Sequence, residues 1–281
     1  MPDTVIKNAR IILGGILQPA EIAIERGRIS KLGKVIGTSP VNTVIDAHGA
    51  LVLPGAIDVH VHFRDPGYTH KEDWVSGSCA AAAGGVTAVV DQPNTSPPTL
   101  DPDSFRKKQK AARRSIVDFC INAGVTRANI SALRELWELG ALAFGEIFLA
   151  ESTGSAGAGY EVLFEALPEI ARLGARACVH AEDAATINEA SALLAKEIAP
   201  ESHSRMRPEL AEAVAIARTL EAAGSSGADV HISHVSTREG VGLVREAKRK
   251  KQAVTCEVTP HHLFLTDRDC ARLGTLGKMN P

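Results

Sequence analysis

Two histidines one residue apart, His60 and His62, close an apolar run that begins at Leu51. In an extended strand, residues i and i+2 point to one face, so both imidazoles can share one target. Neutral imidazole is the commonest side-chain metal ligand. A bare His-x-His arises easily by chance and more often marks two hydrogen-bonded histidines, but the rest of the chain changes that balance. Glu146 interrupts the apolar run Ala143-Phe144-Gly145-Glu146-Ile147-Phe148-Leu149, His180 ends Cys178-Val179-His180, and His234 ends His231-Ile232-Ser233-His234. A buried, unpaired carboxylate is costly, so Glu146 needs a partner, and a metal suits it better than a lone arginine. Four histidines and one carboxylate exceed a single tetrahedral zinc site. Two Zn2+ or similar borderline divalent ions, bridged by Glu146, is the economical reading.

Other polar residues carry less. His231 reads as an ordinary strand histidine, and His48, His70 and His203 as solvated ones. His261 and His262 follow Pro260 in a loop, and nothing forces them into a site. Glu182, Asp183 and Asp65 read more readily as turn residues than as partners of the ligands. The basic run RKKQKAARR at 106–114 follows Asp101-Pro102-Asp103 and reads as a solvated helix face, not a binding patch.

The elements that must position the ligands form a repeating pattern. Residues 1–53 read as short strands and turns: 5–12, a hairpin of 20–25 and 28–34 around Arg26-Gly27, then 44–46 and 51–53. Such a small β unit struggles to bury a core alone. From Ala56 the order becomes strand, loop, helix, repeated. Strands are expected at 56–61, 86–91, 116–122, 143–148, 175–180, 229–233 and 253–258. Helices are expected near 71–83 (with an Ala-rich packing face), 104–114, 127–139, 160–172, 183–197, 208–223 and 238–250. Seven βα units in a row predict an α/β fold, a (β/α)8 barrel that follows the small β unit at 1–53. A doubly wound sheet is the rival, but no Gly-rich dinucleotide turn supports it. The barrel domain, 54–281, ends at Lys278-Met279-Asn280-Pro281 before an eighth strand, so the reading is of an incomplete barrel. The candidate ligands all fall at C-terminal strand ends, where barrels of this kind place their active sites.

Bulk properties exclude several classes. The chain has 281 residues, 44% hydrophobic and 23% charged, and a net charge of −2. Those values suit a globular protein with a sizeable core and give no reason to expect nucleic acid or an acidic membrane. Cys79, Cys120, Cys178, Cys256 and Cys270 are scattered and form no Cys-x-x-Cys pair, which suits a reducing cytoplasm. The N-terminal residues lack the apolar core of a signal peptide, and no run is apolar enough to span a membrane.

A family resemblance sharpens these expectations. His60-Val-His62-Phe-Arg64-Asp-Pro-Gly-Tyr-Thr-His-Lys-Glu-Asp resembles the signature of class I dihydroorotases in the cyclic amidohydrolase superfamily. So do Ala80-Ala-Ala-Ala-Gly-Gly-Val-Thr, Gln92-Pro-Asn94-Thr, Val179-His180-Ala-Glu, Ser233-His234-Val-Ser-Thr, Thr255-Cys-Glu-Val-Thr-Pro-His-His-Leu and Lys278-Met-Asn-Pro, in the family's order. The resemblance implies a metal-dependent barrel with a flanking β-sandwich to which residues 1–53 contribute, and zinc-dependent, reversible cyclisation of N-carbamoyl-L-aspartate to L-dihydroorotate in pyrimidine biosynthesis. It implies one Zn2+ on His60 and His62 and a second on His180 and His234. Arg64 and Asn94 would hold the substrate carboxylate, with His62 and Asn280 also facing the substrate. A guanidinium fork matches a carboxylate bidentately, which gives Arg64 a physical reason. Relatives commonly bridge the metals with a carboxylated lysine or an aspartate, where this chain has Glu146. The family's catalytic aspartate lies on strand eight, so no general acid/base is assigned within residues 1–281. A homo-oligomer and association with aspartate transcarbamoylase are the partners the resemblance suggests. Allantoinases and hydantoinases share the His-x-His and the barrel but usually differ around Phe63-Arg64-Asp65-Pro66 and Pro93-Asn94-Thr95. A silent scaffold would be expected to have lost ligands that are retained here.

Overall fold

The computed structural model describes residues 2–152 and 155–281, which fall into two compact units, Met1–Ala56 and Ile57–Pro281. In the first, strands β1 (Thr4–Leu13), β2 (Ile16–Glu25), β3 (Arg28–Gly33) and β4 (Thr43–Asp46) form one sheet in the order β3-β2-β1-β4. The hairpin around Arg26-Gly27 is present, and its first strand starts earlier than expected, at Ile16. The segment 51–53 is no strand: Leu51 makes a single parallel bridge to Arg10. Two small clusters, Val5-Ala23-Ile36 and Ile11-Ala20-Ile22, make up the core of this unit.

The second unit alternates strands with helices. It runs β5 (Ala56–Val61), α1 (Trp74–Ala83), β6 (Val86–Asp91), α2 (Pro102–Ala112), β7 (Asp118–Ile121), α3 (Leu133–Glu138), β8 (Phe144–Phe148) and α4 (Glu161–Arg172). It continues with β9 (Arg176–His180), α5 (Ala184–Leu193), α6 (Ser202–Met206), α7 (Glu209–Ser226), β10 (Asp229–Ile232), α8 (Arg238–Arg249) and β11 (Val254–Cys256). Two sheets result, β5-β6-β7 and β11-β10-β9-β8. A parallel bridge from Ala123 to Phe144 joins β7 to β8, so the strands follow one another in chain order as the βα repeat predicts. Short helices α9 (Pro260–Phe264) and α10 (Cys270–Leu273) follow β11.

Local chemistry explains the boundaries. The side chains of Asp73 and Asp101 accept backbone N–H bonds at the starts of α1 and α2, each in a capping box with a serine three residues on. The expected Ala-rich packing face of α1 is not the buried one. Trp74, Gly77 and Ser78 face inward, and most of the alanines lie on the outer side of the turn. The residues at 127–139 split into a 3₁₀ turn, Arg127–Ala132, and α3. The main core is aliphatic and aromatic, with Phe105, Leu133, Phe144, Leu167, Ile216 and Ile232 fully enclosed.

The basic run on α2 is not wholly solvated. Lys108 is 0% exposed, and its Nζ pairs with the Asp91 carboxylate at 2.5 Å and donates to the Gln92 carbonyl. The other Asp91 oxygen accepts the Phe63 N–H at 2.7 Å. One turn of helix brings the lysine round to the buried side together with Ser104, Phe105 and Ala112, an inward stripe that residue type alone does not reveal. Lys108→Met leaves the Asp91 charge buried without its cation. It is expected to lower unfolding free energy by about 3–5 kcal/mol in urea denaturation, and adding Asp91→Asn is expected to recover most of that loss.

Candidate metal centre

Glu146 is the hub of the site. It is 3% exposed in a strand whose other residues are all buried. Gly145 before it has φ +144°, and a Cβ there would lie 2.1 Å from the Cys178 carbonyl oxygen. Glycine alone lets β8 come so close to β9, which sets Glu146 beside His180.

The four histidines meet this carboxylate in two pairs. Oε2 lies 3.4 Å from His60 Nε2 and 3.4 Å from His62 Nε2. Oε1 lies 2.8 Å from His234 Nε2 and 3.3 Å from His180 Nδ1. Within the pairs the ring nitrogens are 3.2 Å apart for His60 and His62 and 3.1 Å for His180 and His234. One oxygen of Glu146 therefore serves each pair. Donor atoms of His60, Glu146 and His234 all lie within 4.8 Å of one another. Imidazole nitrogens converging on a shared carboxylate fit borderline divalent ions such as Zn2+.

Outer partners orient the rings. His60 Nδ1 bonds Glu257 Oε1 at 2.5 Å, His62 Nδ1 donates to Asn94 Oδ1 at 2.7 Å, and His180 Nε2 bonds Glu182 Oε2 at 2.7 Å. Each bond leaves the other nitrogen aimed at Glu146, the arrangement that metal-ligating histidines use. Arg207 grips Glu182 with both Nε, at 2.9 Å, and Nη2, at 2.5 Å. Glu257 also meets His231 Nε2 at 3.3 Å.

The electrostatics of these rings follow from the same contacts. Burial pushes the His60 ring down, but Glu146 and Glu257 outweigh it and raise its pKa to about 10. Burial likewise opposes protonation of His180, and hydrogen bonds to Glu146 and Glu182 raise it to about 9. His62 is pushed down to about 3 by burial, with His60 and Arg64 adding to the effect. His234 is lowered, again chiefly by burial. Burial alone would raise Glu146, yet His60, His180 and His234 hold it well below the ordinary carboxylate range. Each histidine pair thus holds one ring whose charged form the surrounding carboxylates favour, as they would favour a cation.

The expected substrate residues divide. Arg64 adopts φ +58° and donates to the Asn94 carbonyl at 3.2 Å, so Arg64, Asn94 and His62 form one group. Asn94 and Glu146 share a cavity of about 290 Å³ with Tyr68, Gly124 and Phe148. Asn280 is placed elsewhere: it donates to Ser152 Oγ at 2.8 Å and pairs with His203 Nε2 at 2.8 Å, lining a different cavity with Arg207. His203 is therefore partnered rather than freely solvated. Glu182 is not a plain turn residue, because Glu182 and Arg207 back His180. Glu257 was missed, although Thr255 and Glu257 stand at i and i+2 of a strand end, the same pattern that drew notice to His60 and His62.

A family model described as dihydro-orotase-like matches residues 49–240. The chain belongs to that family. A protein of Methanosarcina mazei named dihydroorotase is 54% identical over 288 residues, covering 100% of this chain and 63% of the relative. A protein of Rubrobacter xylanophilus named allantoinase is 38% identical, covering 99% of this chain and 62% of the relative. Among solved structures, the L-hydantoinase (dihydropyrimidinase) from Arthrobacter aurescens superposes with a TM-score of 0.90 at 30% identity, covering 97% of this chain and 62% of that one. This chain thus spans a little under two thirds of the length of these relatives.

Glu257→Gln weakens the hold on His60 without removing a ligand. It is expected to lower Zn2+ affinity by about 10–100-fold, measured by competition with a chromophoric chelator.

Proposed function

We propose that the chain carries the metal centre and the acid-binding group of a dihydroorotase, which interconverts N-carbamoyl-L-aspartate and L-dihydroorotate. The observation that carries this reading is the pairing of Arg64 and Asn94 beside a four-histidine, one-glutamate cluster. The 54% identical relative named dihydroorotase supports it. In this reading His60 and His62 hold one Zn2+, His180 and His234 hold a second, and Glu146 bridges them.

When bound, such ions supply Lewis acidity toward a ring amide and acidify water. The chain's own residues do the rest. Arg64 would present its guanidinium to the substrate carboxylate, with Nη1 held by its bond to the Asn94 carbonyl at 3.2 Å. Asn94 fixes the His62 tautomer, so the acid-binding group and the metal centre share a residue. The cavity beside Glu146 suits one small ring, and its lining is mostly apolar with a few polar groups. Holding the carboxylate at one end orients the amide toward the cluster at the other, which lowers the entropic part of the barrier.

A hydantoinase-like activity on uncharged cyclic amides is the second reading, and the fold likeness to L-hydantoinase favours it. The two part on the substrate's acid group. With zinc supplied, the chain is expected to bind L-dihydroorotate more tightly than dihydrouracil in calorimetry. Arg64→Met is expected to cost dihydroorotate about 10–100-fold, the worth of a charge-assisted hydrogen bond, and to leave dihydrouracil unchanged. Preference for dihydrouracil in the parent chain would select the hydantoinase-like reading instead.

A further inference from the structure

The two histidine pairs are held from behind by largely different parts of the chain. His60 leans on Glu257 after β11, and His62 on Asn94 after β6. The other pair is backed chiefly by one short segment, Arg207 to Glu212, where the chain enters α7, beside a longer bond of 3.4 Å from the His234 N–H to Glu257 Oε1. Arg207 clamps Glu182, the partner of His180, and also donates to the Glu151 carbonyl at 3.3 Å. The Asp183 N–H, next in the chain after Glu182, donates to the Ala211 carbonyl at 2.9 Å.

Glu212 reaches the opposite way, toward His234. Its carboxylate is 3% exposed and accepts from the Ser236 N–H and hydroxyl, at 3.0 and 2.6 Å, and from the Thr237 N–H and hydroxyl, at 3.0 and 2.7 Å. Those donors lie two and three residues after His234 and open α8, where a negative charge also meets the favourable end of the helix dipole. Gly240 makes room for the contact, since a Cβ there would sit 2.6 Å from Glu212 Oε1. His234 needs this external hold more than the other ligands do. Its backbone is left-handed, φ +35°, a conformation that L side chains rarely adopt. Its Nδ1 has no hydrogen-bond partner among the described residues, so its ring is placed mainly through its backbone.

We infer that Arg207 and Glu212 are positioning residues for the His180–His234 half of the centre, and that this half fails independently of the His60–His62 half. The inference rests on the two-ion reading proposed above and adds a consequence that reading does not contain. A general stabilising role for α7 would weaken both halves together, whereas this geometry predicts a selective loss.

The test is a Co2+ titration of the full chain, followed by d–d absorbance and metal analysis, with melting recorded alongside. The parent is expected to take up two ions. Glu212→Gln and Arg207→Met are each expected to keep one at parental affinity and to weaken the other by about 10–100-fold. Asn94→Ala, on the opposite half, is expected to weaken the complementary equivalent, recognised by a different absorbance band. Two variants at separate residues guard against one that fails to fold. Equal weakening of both equivalents, or a lowered melting temperature with both affinities unchanged, would overturn the inference while leaving the two-ion reading intact. A parent that takes up fewer than two ions would overturn both.

Discussion

A buried carboxylate in an apolar strand is the constraint on which the rest of this site turns. Glu146 is enclosed, its neighbours in β8 are buried, and burial by itself would drive it to the neutral acid. It stays ionised because imidazoles approach from both sides, two at each oxygen. Remove that convergence and the strand would carry an unpaired charge in its core. The parallel order of strands is what makes the convergence possible, since the segments at β5, β8, β9 and β10 each bring a side chain of the cluster from a different stretch of chain.

Around that hub lies a set of buried charges that never touch the reacting region yet fix its geometry. Asp91 and Lys108 tie the segment between His62 and Arg64 to the segment that leads to Asn94. Glu257 and Glu182 set two ring orientations, and Arg207 neutralises Glu182 in turn. Buried ion pairs are poor sources of net stability, because desolvation offsets most of the attraction. Their placement beside ligands is better understood as specification of geometry, which a metal centre needs to within tenths of an ångström.

Membership of the dihydro-orotase-like family places the chain beside relatives named dihydroorotase and allantoinase, and the proposed metal centre does not by itself select between such substrates. The likeness to a hydantoinase structure shows how far the fold is shared among proteins named for different substrates. What separates the readings is a pair of residues beside the cluster. Asn94 lines the cavity beside Glu146 and Arg64 donates to the Asn94 carbonyl, and in the proposed reading an acid group on the substrate gives both a task.

By itself, the sequence determined the order of strands and helices from Ala56 onward and singled out the five side chains that converge, because an apolar run ending in histidine or broken by glutamate is a local signal. His60, His62, Glu146, His180 and His234 were legible for that reason, and the tertiary structure places them in contact. It did not disclose which polar residues stand behind them. Glu182 looked like a turn residue, Lys108 like part of a solvated face, and Glu257 carried no mark beyond its place at a strand end. Nor did it show that Asn280 bonds Ser152 and His203, or that 51–53 forms one bridge in place of a strand. These were decided only by the tertiary structure. The physical reason is range: strand patterning arises from neighbours two residues apart, whereas the partner of His60 lies 197 positions away and the arginine that holds Glu182, the partner of His180, lies 25 positions beyond Glu182. A carboxylate's value there depends on what the fold brings to it, and residue type carries no record of that.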